Sequence, residues 1–307
     1  RIPDASLTTL SPDGRLLGGV GSAGLSVVDL LRRTTETFPA DRLACKQPDA
    51  IGIAPDDKTL VLNCVGFSTS VGKNVSNPIE HIQAVDISTS PWRPSPPIEA
   101  PVWAGLLAFS PDGQVLAAGA GHGAGAGLQL FDVRGTRLRR RATLGGYGND
   151  VAFTPDSRAL VWSHDGRIDI VSLPRSGVHV TAFAPPTGNP SASISLARDG
   201  SLLAASDGSQ IRLWDMSTKQ VLGDIPGSSD SSCCTAIAVT SRSVTAVGGA
   251  SNFTNPAIGD LILIRFDLDP NELSRRACTR ANRNVTRAEW AQYIGPIPYR
   301  KQCPGLP

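Results

Sequence analysis

Little in this sequence is charged and less is aromatic: charged residues make up 18% of its 307 positions and aromatic residues 5%, where an ordinary soluble domain carries roughly 25% charge. Lysine is scarce, with Lys46, Lys58, Lys73, Lys219 and Lys301 the only ones among 29 basic residues, and Met216 is the single methionine. No apolar run approaches the ~20 residues that span a bilayer as a helix, which excludes membrane insertion of that kind. The net charge of +2 is too small for a general electrostatic grip on nucleic acid or lipid. The chain begins at Arg1, so it reads as a fragment or a processed product, and a targeting signal is not to be read from its start.

What the sequence has in quantity is turn formers, 31 glycines and 24 prolines, beside 40% hydrophobic residues. These describe a globular, turn-rich chain with few helices. Self-similarity then decides the fold class. Ser11-Pro12-Asp13-Gly14, Ala54-Pro55-Asp56-Asp57, Ser110-Pro111-Asp112-Gly113, Thr154-Pro155-Asp156-Ser157 and Ala197-Arg198-Asp199-Gly200 are five copies of one turn, with a degenerate sixth at Thr240-Ser241-Arg242. Their second residues stand at 12, 55, 111, 155, 198 and 241, so the period is near 43 with one insertion. Each copy lies between two apolar runs, as Leu106 to Phe109 and Val115 to Ala118 do, and predicts a hairpin.

An alternating run closing on Asp follows most turns: Leu25 to Asp29, Ile82 to Asp86, Leu128 to Asp132 and Ile211 to Asp215. Leu263 to Asp267 is looser, and Ile168 to Ser172 lacks the Asp. Thr34 to Phe38, Leu138 to Leu144, Val178 to Phe183 and Gln220 to Ile225 supply fourth strands. Four antiparallel strands per ~43 residues predict an all-β protein, a β-propeller over residues 1–268. Six repeats are visible. Either a six-bladed ring closes with help from the tail, or a seventh blade lies upstream. Residues 269–307 form a second unit, a helical tail expected to pack on the propeller. In it Asp269-Pro270-Asn271-Glu272 and Thr286-Arg287-Ala288-Glu289 each read as a helix start.

With Trp214-Asp215 as its one literal Trp-Asp dipeptide, the chain resembles the WD-repeat family over roughly residues 7 to 268, although the family's Gly-His dipeptide is missing at the expected places. The tail, with Ala281-Asn282-Arg283-Asn284-Val285-Thr286, Glu289-Trp290 and Cys303-Pro304, looks like the terminus of actinobacterial multidomain WD-repeat proteins. There the propeller commonly follows a signalling NTPase module. That resemblance implies a sensing or docking arm, a monomeric propeller within a larger polypeptide.

Long insertions collect on one predicted face of the ring, at 64–80, 119–127 and 249–260. Loops gathered on a rigid scaffold usually carry recognition, so Phe67, Trp103, His122, Tyr147, His164 and Phe253 are the candidate anchors for a protein or peptide partner. Catalysis finds no support. The four histidines form no His-x-x-x-His pair, and no Gly-x-Ser-x-Gly elbow occurs. The glycine-rich stretch 119–127 runs into a strand rather than opening a helix, unlike a phosphate loop. Of the entrances to the first strands only Asp150 supplies a carboxylate, so an enzyme or small-molecule site in the central funnel stands as the alternative. No cofactor or metal is expected. The basic run Arg137 to Arg141 maps to an exposed outer strand, where charge discourages edge pairing.

Six cysteines remain. Hairpin pairing brings Cys45 and Cys64 together on the loop face, and a Cys278 to Cys303 bridge would staple the tail. Bridges point to an extracytoplasmic location and free thiols to the cytoplasm. The sensor-arm reading favours the cytoplasm.

Overall fold

A serine or threonine two residues before an aspartate builds the recurring turn. In the computed structural model of the chain, Ser11 donates its hydroxyl to Asp13 at 2.6 Å, accepts from the Leu16 N–H at 2.9 Å, and the Asp13 carboxylate accepts from the Arg15 N–H at 2.9 Å. Ser110 with Asp112 and Thr154 with Asp156 repeat the pattern. The fourth residue needs a positive φ, and Gly14, Asp57, Gly113, Ser157 and Gly200 all adopt it, between 56° and 75°. Glycine meets that demand without strain.

The structure describes residues 5, 7–45, 48–64, 81–100, 105–119, 127–146, 148–175, 177–184, 193–206, 210–226, 236–249, 261–293 and 298–307. Six antiparallel sheets follow one another along the chain. Blade 1 holds β1 (Leu7–Leu10), β2 (Leu16–Gly21), β3 (Gly24–Asp29) and β4 (Thr34–Pro39). Blade 2 holds β5 (Pro48–Ile53), β6 (Thr59–Cys64), β7 (His81–Asp86) and a fourth strand in two pieces, β8 (Arg93–Pro94) and β9 (Ile98–Glu99). Blade 3 comprises β10 (Leu106–Phe109), β11 (Val115–Gly119), β12 (Gly127–Arg134) and β13 (Arg137–Gly145). Blade 4 comprises β14 (Gly148–Phe153), β15 (Ala159–His164), β16 (Arg167–Ser172) and β17 (His179–Ala184). Blade 5 has β18 (Ser193–Leu196), β19 (Leu202–Ser206), β20 (Gln210–Asp215) and β21 (Gln220–Pro226). Among the described residues blade 6 has three strands, β22 (Ala236–Val239), β23 (Ser243–Gly249) and β24 (Leu261–Asp267).

The core lies between blades. Leu25 and Val27 of blade 1 pack on Ile51, Leu60 and Leu62 of blade 2; Val61 and Ile82 pack on Leu116 and Phe131 of blade 3. Leu128 and Leu130 meet Leu160 and Trp162, Val161 and Ile168 meet Leu203 and Trp214, and Ile211 and Leu213 meet Val239 and Val244. Both faces of an inner blade are therefore covered, and a second strand such as β6 is buried along its whole length. The turns touch as well. Arg15 of the first turn pairs with Asp57 of the second at 2.8 Å, and the Ser157 hydroxyl accepts from the Asp112 N–H at 3.0 Å.

The basic run is tied down. Arg139 pairs with Asp132 at 2.8 Å, Arg140 donates to the Glu99 carbonyl of blade 2 at 2.6 Å, and Arg141 reaches the Pro174 carbonyl of blade 4 at 2.6 Å. Beyond Asp267 come α1 (Pro270–Arg280), whose N-cap Asp269 accepts from the Asn271 N–H, and α2 (Arg287–Tyr293). Thr286 and Glu289 form a reciprocal capping box: the Thr286 hydroxyl accepts from the Glu289 N–H, and the Glu289 carboxylate accepts from the Thr286 N–H. Arg283, with help from the Thr286 donors, draws the Glu289 carboxyl down to about 2. Among the described residues no helix is long and apolar enough to cross a membrane.

Removing the turn hydroxyl by Ser110→Ala should cost about 1–2 kcal/mol, because a buried serine loses bonds to Asp112 and Val115. Phe131→Ala, which empties the core between blades 2 and 3, should cost about 3–5 kcal/mol. Urea unfolding midpoints at constant m-value check both.

Candidate functional site

The loop-rich ends of the first strands are where a propeller would present chemistry, and two carboxylates stand there. Asp49 enters β5 and accepts from the Asn63 side-chain amide at 2.8 Å. Asp150 enters β14 and reaches into blade 5, where its Oδ2 accepts from the Ile194 N–H at 2.9 Å and the Ser193 hydroxyl at 3.2 Å. Burial raises both carboxyls above the ordinary value of 3.8, against the opposing pull of these donors. Asp150 is thus a strap between two blades. Asp49 follows from extending β5 back to Pro48, beyond the Ala50 entrance that the repeat spacing indicated.

One polar position recurs along the third strands. Four residues before the closing position, Asp29, Asp86, Asp132, Ser172 or Asp215, come Leu25, Ile82, Leu128, Ile168 and Ile211, and the next residue is Ser26, Gln83, Gln129, Asp169 or Arg212. Ser26 bonds Thr37 at 2.9 Å, and Arg212 makes a two-pronged pair with Asp224 at 2.7 and 2.9 Å. Gln83 accepts from the Ala44 and Cys45 N–H groups and donates to the Ser95 carbonyl, fastening the connection from blade 1. Asp169 accepts from His164 Nε2 at 2.7 Å. The sequence carried this signal in register with the closing Asp, but only pairing to the neighbouring strands reveals what each side chain holds.

His164 lies inside the molecule, 6% exposed. Its ring stacks on Trp162 with centroids 3.7 Å apart, and its Nδ1 is 3.3 Å from Asp165. Both ring nitrogens face carboxylates, so neither is open to a substrate, and the ring is no surface anchor. Residues 160, 162 and 164 alternate onto one face of β15, the face that packs against blade 3. Of the other candidate anchors, Phe67, Trp103, His122, Tyr147 and Phe253 lie outside the described residues, as does most of the glycine-rich stretch 119–127. His81 opens β7 opposite Cys64, which in turn pairs with Pro48 of β5. Among the described residues no three His, Cys, Asp or Glu side chains come together as a metal site.

Cys45 is bonded to Cys64 and Cys278 to Cys303. The first pair is buried and ties the blade 1 to blade 2 connection to β6. The second joins α1 to the last residues of the chain. Beside it Asn284, 7% exposed, donates its amide to the carbonyls of Cys303, Leu306 and Pro307 and accepts from the Cys303 N–H. Asn284 is thus the hub that holds the end of the tail together.

No family model matches the sequence, and no curated protein matches it. Among solved structures 1044 chains match, a breadth that marks a widely used shape. One is hydrazine synthase from Kuenenia stuttgartiensis, 17% identical, with a TM-score of 0.58 over 86% of this chain and 84% of that one. At that identity the likeness is one of fold. Together with the six sheets it makes this an all-β protein of the propeller class.

Two opposite pH responses follow. Asp150 binds its proton more tightly folded than unfolded, so its contribution to stability grows as pH falls through the folded pKa toward 3.8 and shrinks as pH rises. Asp29 is held below its ordinary value by the Arg32 and Leu31 N–H groups and by Arg15, so its contribution is present above 3.8 and lost as pH falls through the lower folded pKa. Relative to the parent, Asp150→Asn should therefore be more favourable at pH 7 than at pH 4. Asp29→Asn should be most damaging at pH 7 and progressively less so as pH falls below 3.8. Denaturant midpoints across that range separate the two.

Proposed function

We propose that this chain is a non-enzymatic, WD-repeat-like interaction platform that presents its loop-rich face to a protein or peptide partner, as the sensing or docking arm of a larger bacterial signalling protein of actinobacterial type. The observation that carries this reading is that the reactive-looking groups at the loop-rich end are spent inside the fold. Asp150 straps blade 4 to blade 5, and His164 sits between Asp169 and Asp165 on the Trp162 ring. A rigid scaffold with variable loops on one face suits recognition.

The two buried or tail-stapling bridges support the extracytoplasmic alternative over the cytoplasmic one, because disulfides persist in oxidising compartments. In natively isolated protein alkylated without reduction, Cys45, Cys64, Cys278 and Cys303 should stay unlabelled. Separating Cys45 from Cys64 by a double serine substitution should cost about 3 kcal/mol for a loop with this separation of 19 residues. Labelling of all four thiols would return the chain to the cytoplasm.

A small-molecule site is the second reading. Its support is a pair of acceptors, Asn63 Oδ1 and Gln129 Oε1, buried without a hydrogen-bond partner among the described residues. Such oxygens ask for a donor. The platform reading is tested by alanine at Phe67, Trp103, Tyr147 and Phe253 together. That variant should lose a partner co-purified with the parent while keeping its unfolding midpoint, and a Thr218→Ala, Lys219→Ala variant on the opposite face should retain the partner. Equal binding by both variants would remove the loop face from the account.

A further inference from the structure

The outer hairpin of blade 3 overhangs its sheet. In blades 1, 2 and 5 the Asp that closes the third strand is also the last residue to pair with the fourth: Asp29 with Thr34, Asp86 with Arg93 and Asp215 with Gln220. In blade 3 the ladder runs on past Asp132, through Val133 with Leu138 to Arg134 with Arg137. Like charges set directly opposite each other cost stability. Asp132 offers them no relief, because it is engaged by Arg139 at 2.8 Å and Arg141 at 3.6 Å. Arg140 spends its guanidinium on the neutral carbonyl of Glu99. Arg134, Arg137 and Arg140 thus carry charge that no carboxylate balances among the described residues. Beside this hairpin the outer strand of blade 2 is interrupted, where Pro94, Pro96 and Pro97 part β8 from β9. A cavity of about 360 Å³ opens between the break and the hairpin. Ile82, 0% exposed, lies at its bottom with half-buried Ile98 and Leu138 beside it, and Ser95, Thr136 and Arg137 stand around them. No carboxylate lines it.

We infer that this cleft between the outer strands of blades 2 and 3 docks an acidic peptide segment that carries one large apolar side chain. The apolar side chain enters over Ile82, between Ile98 and Leu138, and the carboxylates flanking it pair with Arg137, Arg134 and Arg140. Charge complementarity selects the occupant. A partner carboxylate set between Arg134 and Arg137 turns a repulsive pair into an attractive one, whereas a basic segment would add to the repulsion. Size agrees: the cavity is at the small end of ligand sites, so it suits a single anchoring side chain. The hairpin tip also breaks a local rule, since opposed arginines destabilise the ladder they close, and such breaks are expected where a site has to be kept. The β12–β13 turn lies at the end of the blade opposite the long loops, so this cleft and the loop-face reading stand or fall separately.

The probe is a fluorescein-labelled peptide with a single Phe set among Asp and Glu residues, titrated with the 307-residue chain and read by fluorescence anisotropy. It should bind saturably, and rising salt should weaken it. Arg137→Glu should lower its affinity about tenfold or more while leaving Tm unchanged or raising it, since the new carboxylate faces Arg134 across the hairpin. Thr136→Trp, which puts an indole at the cavity, should weaken binding as strongly. Lys301→Glu, the same change of net charge at an exposed tail position, should bind like the parent. Replacing the peptide's Phe by Ala should cost about tenfold. Three results would overturn the inference: no saturable binding, equal affinity for the Ala peptide, or an equal loss with Lys301→Glu. The second would make the hairpin a general polyanion patch with no anchoring cavity.

Discussion

A blade in this fold has two apolar faces, and everything else depends on that constraint. A sheet with one wet face reads as alternating apolar and polar residues, whereas Leu60, Val61 and Leu62 or Leu116, Ala117 and Ala118 are consecutive and fully buried. Each sheet is thus stable only as a layer between two others. At about 25 cal/mol per Å² of apolar surface, burial between layers outweighs every individual polar contact in the molecule. The repeats specify the layers, and the layers hold one another.

The polar residues serve the ends of the layers. Ser-x-Asp and Thr-x-Asp turns close first hairpins, the third strands β3, β7, β20 and β24 end on an Asp that organises the following turn, and the loop-rich ends are strapped by Asp150, Gln83 and the Cys45–Cys64 bond. Side chains fixed in this way are rigid and unreactive.

The period near 43, the turns and the strands were legible because they rest on local chemistry: Pro, Asp and Gly have fixed preferences at fixed turn positions. Both helix starts were legible for the same reason. The fourth strand of blade 2 was not. Pro94, Pro96 and Pro97 withhold N–H groups from the ladder, and the strand breaks into β8 and β9 around Ser95. The burial of His164 was hidden too, since its partners Asp169 and Trp162 identify themselves only once the register of β15 and β16 is known. Asp49 was missed because the bulge between Pro48 and Ala50 shifts the pairing there. Residues whose role is set by a neighbouring blade lie beyond what one repeat can reveal.

If stability comes from layers held on both sides, it must be graded along the ring. Native-state amide hydrogen exchange of the 307-residue chain, read by mass spectrometry, measures that gradient directly. The account predicts slowest exchange in the second and third strands of blades 2 to 5, faster exchange in β1, and the fastest among the strands in β24. Uniform protection around all six sheets, with β24 as slow as β16, would contradict it.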